Sequence, residues 1–262
     1  MRQKIDCFLP CGSLQLLEPM IETLRQSKTI QHIHLLVSAD FACAHRVPDN
    51  CSLVVIDRLL STNTMLSIEE NTDADYVLLN LKTTPADLGP YALDRMLTAA
   101  VDTNALLLYS DHYSVERGER VKHPVIDYQE GSVRDDFDFG SLVLVKASAL
   151  HDYAQSLLRQ KADWQYAGFY DLRLYLSRRG KVFHLNEYLY TEEEQDNRKS
   201  GEKQFDYVNP RNREVQVEME QAVTRHLSET GALIDTSYYS HPDFTEQHFD
   251  CEASVVIPVY NR

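Results

Sequence analysis

The chain has 262 residues, 43% of them hydrophobic, which is enough for one large domain or two small ones with a real core. Its formal net charge of -14 and pI near 5.1 argue against a nucleic-acid binder, because no basic surface is there to replace phosphate counterions. No run of about 18 apolar residues is present to span a membrane, and five cysteines, an odd number without a CxxC pair, argue against a disulfide framework or zinc knuckle.

Met1-Arg2-Gln3-Lys4 leads straight into a strand pattern instead of a signal-peptide core, so a soluble protein of the reducing cytoplasm is expected, at most peripheral to a membrane. Residues 5–9 read as a short strand broken at Pro10. After the loop Cys11-Gly12-Ser13, the spacing of Leu14, Leu17, Ile21 and Leu24 predicts one face of a helix. Strands are expected over 33–37 and 53–56, with 41–50 between them as loop, and a helix over 64–71. The stretch ADYVLLNLKTTPAD, residues 74–87, organises the rest: its apolar run at 76–79 reads as a buried parallel strand left through Asn80-Leu81-Lys82. In an open α/β sheet, ligands bind at that carboxyl edge.

Pro90 is placed to begin a helix carrying Leu93, Met96, Leu97 and Ala100 on one side. Residues 105–109 then form a strand ending in Ser110-Asp111-His112-Tyr113, and 113–116 with 120–125 flank Arg117-Gly118-Glu119 as a hairpin. The loop SVRDDFDFG at 132–140 precedes a strand over 142–145 and a helix to about Leu158. A loop at 164–168, a helix over 169–178 stopped by Gly180, and two short strands at 182–185 and 188–190 follow. Residues 192–201 are charged without apolar period and read as mobile, and 213–227 reads as a closing helix. Alternating strands and helices of these lengths predict a doubly wound, mostly parallel α/β sheet flanked by helices, with a C-terminal helical extension. No glycine motif of the dinucleotide or P-loop kind follows any strand.

The end of the chain, SVVIPVYNR, resembles the first strand and loop of family-two glycosyltransferases with the GT-A fold, and IDCFLPCGS resembles a drifted copy of it. The order and spacing of ADYVLLN, SLVLVKASAL and AGFYDLRLYLSRRGKVFHLNEYLY extend the resemblance over most of residues 5–191. It implies a GT-A-like domain over 1–191, a helical extension and linker over 192–250, and the first strand of a second such domain over 251–262. It also implies transfer of a sugar from a nucleotide-diphosphate donor to the hydroxyl of a glycan or lipid-linked acceptor, in glycan or polysaccharide synthesis.

Such chemistry needs positive charge on the leaving diphosphate and a base for the acceptor. The family supplies the first with a DxD after the central strand, whose carboxylates hold Mg²⁺ or Mn²⁺. Those places are Asn80-Leu81-Lys82 here, so the ligand pair is missing. Lys82 then supplies the charge itself with Asn80 as a neutral ligand, or the loop has simply lost metal binding. Pro10, Asp40 and Asp111 complete the implied nucleotide side, with Asp40 toward the base or ribose. Asp171, in the place of the family's acidic pair, is the implied base; the alternative is a helix N-terminal aspartate facing the macrodipole. Asp111, His112 and His123 invite a metal hypothesis by residue type alone. The loop 132–140, with Tyr166, Phe169 and Tyr170, lines an acceptor or fills core. Two functions stay open: a glycosyltransferase, or a lapsed GT-A domain that binds acceptor or docks on its own active second domain.

Overall fold

A computed structural model describes residues 3–116, 118–193, 213–240, 253 and 255. The chain runs β1 (Ile5–Pro10), α1 (Leu14–Gln26), β2 (Ile30–Val37), α2 (Ala39–Ala44), β3 (Cys51–Val55), α3 (Thr62–Glu70), β4 (Tyr76–Asn80), β5 (Ala86–Leu88), α4 (Ala92–Thr103) and β6 (Leu107–Ser110). It continues through β7 (His112–Glu116), β8 (Glu119–His123), β9 (Leu142–Lys146), α5 (Ala147–Gln160), α6 (Gly168–Ser177), β10 (Val182–Leu185), β11 (Tyr190–Glu193) and α7 (Arg213–Thr230), then a 3-10 turn at Thr236–Tyr238.

Seven strands form the main sheet in the order β10-β6-β9-β4-β1-β2-β3, and β4 stands at its centre. All pairs are parallel except those of β9, which runs antiparallel between β4 and β6. The strands divide their side chains between two cores with period two. Tyr76 and Leu78 join Ile5, Cys7, Leu9, Leu142 and Leu144 under α1 and α4. Val77 and Leu79 join Phe8, Val143 and Val145 under α3, α5 and α6. Covered on both faces, β4 is buried at every position, which explains its unbroken apolar run.

A four-stranded sheet, β5-β11-β7-β8, sits beyond the main sheet, fed by the segments that leave β4 and β6. The two-residue turn between β7 and β8 holds Gly118 at φ +83°, the positive value anticipated for it. Among the described residues no helix is long and apolar enough to cross a membrane.

Several expectations are corrected. Residues 39–44 are helical, capped by Ser38 accepting from the Phe41 amide, and not loop. The strand β5 is too short to show a period, and α4 starts after Tyr91, in the left-handed region at φ 61°, instead of at Pro90. The late strand is Tyr190–Glu193, so Glu192 belongs to a sheet and is buried. The rest of the segment expected to be mobile, 194–201, and the tail apart from 253 and 255 lie outside the described residues.

Candidate functional site

The carboxyl end of β4 opens on a cavity of about 480 Å³, in the range of small-molecule sites. Leu81 and Lys82 form its floor, the loop 135–140 one wall, and Tyr166, Phe169, Tyr170 and Arg173 at α6 the other, with Met219 of α7 at the rim. Cavities of about 530 and 560 Å³ elsewhere are larger, but neither touches the end of β4.

Two glycines set this architecture. Gly168 brings the start of α6 against the start of α3, so closely that a Cβ would lie 2.3 Å from the Ser61 carbonyl carbon. Gly140, at φ +71°, lets the 135–140 loop pass the Tyr190 hydroxyl, which a Cβ would approach to 2.0 Å. That hydroxyl in turn accepts from the Ser141 amide at 3.0 Å.

Asn80 is buried and engaged with its own loop: its Nδ2 donates to the Thr84 carbonyl at 2.8 Å and its Oδ1 accepts from the Lys82 amide at 3.1 Å. The Lys82 ammonium donates to the buried Glu192 carboxylate, which His112 Nε2 also reaches at 3.2 Å. Burial pushes the Glu192 carboxyl up, but the bonds from His112 and Lys82 outweigh it and hold its pKa down at about 2. At the tip of β4, Asn80-Leu81-Lys82 thus presents one amide oxygen, already accepting from the Lys82 amide, and an ammonium paired with Glu192, in place of two carboxylates.

Asp171 is 1% exposed, as the sequence analysis did not foresee. One of its oxygens takes the Arg225 guanidinium of α7, and the other accepts from the Tyr153 hydroxyl at 2.9 Å. Burial and Asp171 itself push the Tyr153 phenol well up, so it remains a donor. Asp111 is equally buried, accepting from the Val125 amide and bonded to His184 Nε2, both at 2.9 Å. His112 and His123 stack at 4.4 Å but turn to Glu192 and Asp138, so the three do not converge on an ion. Pro10 ends β1, buried, and Asp40 lies exposed on α2. Of Pro10, Asp40, Asn80, Lys82, Asp111 and Asp171, Lys82 alone lines the cavity; Asn80 and Asp171 are buried beside the lining residues Leu81 and Tyr170 in the chain, and Pro10, Asp40 and Asp111 are also outside the lining. Phe137 and Phe139 pack with Tyr109 and Tyr128, and Asp138 caps the Gly140 amide at 2.9 Å, yet the same residues also face the cavity.

Arg173 is the residue that sequence reasoning missed. It lines the cavity at 1% exposure, beneath the rings of Tyr170, Tyr128, Phe139 and Phe137, whose centroids lie 4.8 to 5.9 Å away. Its Nη2 donates to the Arg134 carbonyl at 2.5 Å, while Nε and Nη1 have no partner among the described residues. No carboxylate pairs with it among the described residues, and burial lowers its pKa against the opposing pull of Tyr128 and Tyr170. A buried guanidinium in a cavity wall, with two nitrogens that have no acceptor among the described residues, is chemically suited to an anionic oxygen.

No family model matches the sequence, and no curated protein is similar to it. Solved structures are similar in shape. Residues 1–349 of TarS from S. aureus superpose with a TM-score of 0.51 at 9% identity, over 72% of this chain. Mannosyl-3-phosphoglycerate synthase from Rubrobacter xylanophilus gives 0.49 at 12% identity, over 91% of this chain and 78% of its own. The 4-diphosphocytidyl-2C-methyl-D-erythritol synthase from Anaerococcus prevotii gives 0.46 at 11% identity, over 71% of this chain and 90% of its own. The likeness to TarS, of which the chain spans 60%, is one of fold: a GT-A-like α/β architecture.

Proposed function

We propose that this domain binds a nucleotide-diphosphate sugar in the cavity at the end of β4, without a divalent ion, and transfers the sugar to an acceptor hydroxyl. The observation that carries the reading is Arg173, whose Nε and Nη1 have no acceptor among the described residues and, lying on different edges of the guanidinium, can each take a separate anionic oxygen. Lys82, already at the floor, adds a second cation once its bond to Glu192 is shared or exchanged. Together they supply the charge that a metal supplies elsewhere, on the bond that must leave. Asp171 is the proposed base, and reaching an acceptor requires Arg225 to release it.

A second reading rests on that same contact. With both Asp171 oxygens occupied, the domain binds donor or acceptor without turnover and serves a second glycosyltransferase domain of the same protein.

The test is a titration of UDP, GDP and their sugar conjugates into wild type, Arg173→Met and Lys82→Ala, with EDTA and then with excess Mn²⁺. Binding in EDTA that weakens on the order of tenfold to a hundredfold in each variant supports the reading, the worth of one charge-assisted bond. Binding only with Mn²⁺, or equal affinity in both variants, overturns it. Release of nucleoside diphosphate from the bound conjugate as its sugar passes to an added acceptor hydroxyl or to water, lost in Asp171→Asn, separates the enzyme from the binding domain.

A further inference from the structure

At the opposite end of the sheet, the amino ends of β1 and β2 carry a second cluster of polar groups. Asp6 pairs with His32 across the two strands, and His34 stands two residues further along the same face of β2, so all three side chains share one side of the sheet. One ligand-capable atom from each lies within 4.8 Å of the other two, and His32 Nδ1 is 3.2 Å from Asp6 Oδ1. Ligand atoms about 2.0–2.1 Å from a tetrahedral ion stand about 3.3 Å apart, so this pair is already spaced for one.

Two features suit the cluster to a cation. Asp6 is fully buried, yet its only ion-pair partner among the described residues is His32, which is half exposed. Its Oδ2 is filled by the amides of Asp73 and Ala74 at 3.0 and 3.1 Å, whereas Oδ1 takes only the His32 amide at 3.1 Å besides the His32 ring. Buried carboxylates are normally paired with a cation or bound to a metal. The second feature is His34, 7% exposed, whose Nε2 is buried without a partner. Its other nitrogen, Nδ1, is bonded to the Ser52 hydroxyl at 2.7 Å, and Phe8 stacks on the ring at 4.4 Å and 9°. A histidine held through one ring nitrogen, with the other free, is how metal ligands are oriented from behind.

We propose that Asp6, His32 and His34 bind a zinc-class divalent ion, with Ser52 orienting His34. Asp73, whose Oδ1 is 3.4 Å from His32 Nδ1, or a water takes the fourth position. Two imidazoles and a carboxylate select zinc, cobalt or nickel over magnesium or calcium. The exposed edge of His32, 53% accessible, provides the way in. An ion there ties β1, β2 and the turn before β4 together, at the other end of the strands from the cavity beyond β4.

Metal-free full-length protein is titrated with Zn²⁺ by calorimetry, and with Co²⁺ by visible absorption, for wild type, His32→Ala and Ser52→Ala. The expected result is one site per chain that is absent from His32→Ala, a tetrahedral Co²⁺ spectrum, and an affinity lower on the order of 10–100-fold in Ser52→Ala. Zn²⁺ should raise the Tm of wild type above its own metal-free value and leave the Tm of His32→Ala at its metal-free value. Equal stoichiometry and affinity in wild type and His32→Ala, or no binding by wild type, overturns the site.

Discussion

Asp171 and Arg173 stand two residues apart on α6, both 1% exposed, and their surroundings could hardly differ more. Asp171 is closed: Arg225 and Tyr153 use both of its oxygens. Arg173 is open: one N–H is used, two groups are not, and aromatic faces surround it instead of carboxylates. A satisfied buried charge holds the molecule together, whereas an unsatisfied one costs stability and is kept where a ligand completes it.

The largest test breaks the closed side. Arg225→Met leaves Asp171 buried without its counter-charge and should lower unfolding free energy by about 3–5 kcal/mol in urea denaturation. The matching change on the open side should act with the opposite sign. Arg173→Met removes an unpaired buried cation, so the same measurement should show no loss and a gain of up to about 3 kcal/mol, while diphosphate affinity falls. A loss above about 1 kcal/mol would mean that Arg173 is structural after all. Smaller again is Tyr153→Phe, which deletes the second donor to Asp171 and should cost about 1.5 kcal/mol without changing diphosphate affinity.

A further test is in pH and concerns Glu192 beneath Lys82. Its carboxyl is held from an ordinary value of 4.5 down to about 2, so its contribution is fully present above pH 4.5 and is lost as pH falls through about 2. Urea midpoints from pH 5 to 2 should fall more steeply in wild type than in Glu192→Gln.

The sheet was legible in the sequence because β4 and β9 carry apolar residues on both faces and are bounded by polar turns. What escaped was set by distant contacts. Glu192 sits in a charged run, and only the pairing of β11 with β5 and β7 turns it inward. Asp171 was found as a position, but not its burial, because Arg225 lies 54 residues further on. Arg173 left a signal that went unused: α6 is buried without a break from Gly168 to Leu176, and DLRLYL has no polar face on which an arginine could reach water.

The grip of α7 on the domain has a kinetic side. Only Ala222 and His226 of its 18 residues are buried, and much of the contact is made by charge: Glu218 receives the amides of Gln165, Tyr166 and Ala167 at 2.7 to 3.2 Å, while Arg225 takes Asp171. Little apolar area is exposed when such a helix lifts, so α7 is the element whose amides should exchange with solvent sooner than those of β4, and faster in high salt. Each lifting uncovers both the start of α6 and Asp171. For the base proposed above, the rate of that breathing, more than any fixed distance, would set how often Asp171 meets an acceptor.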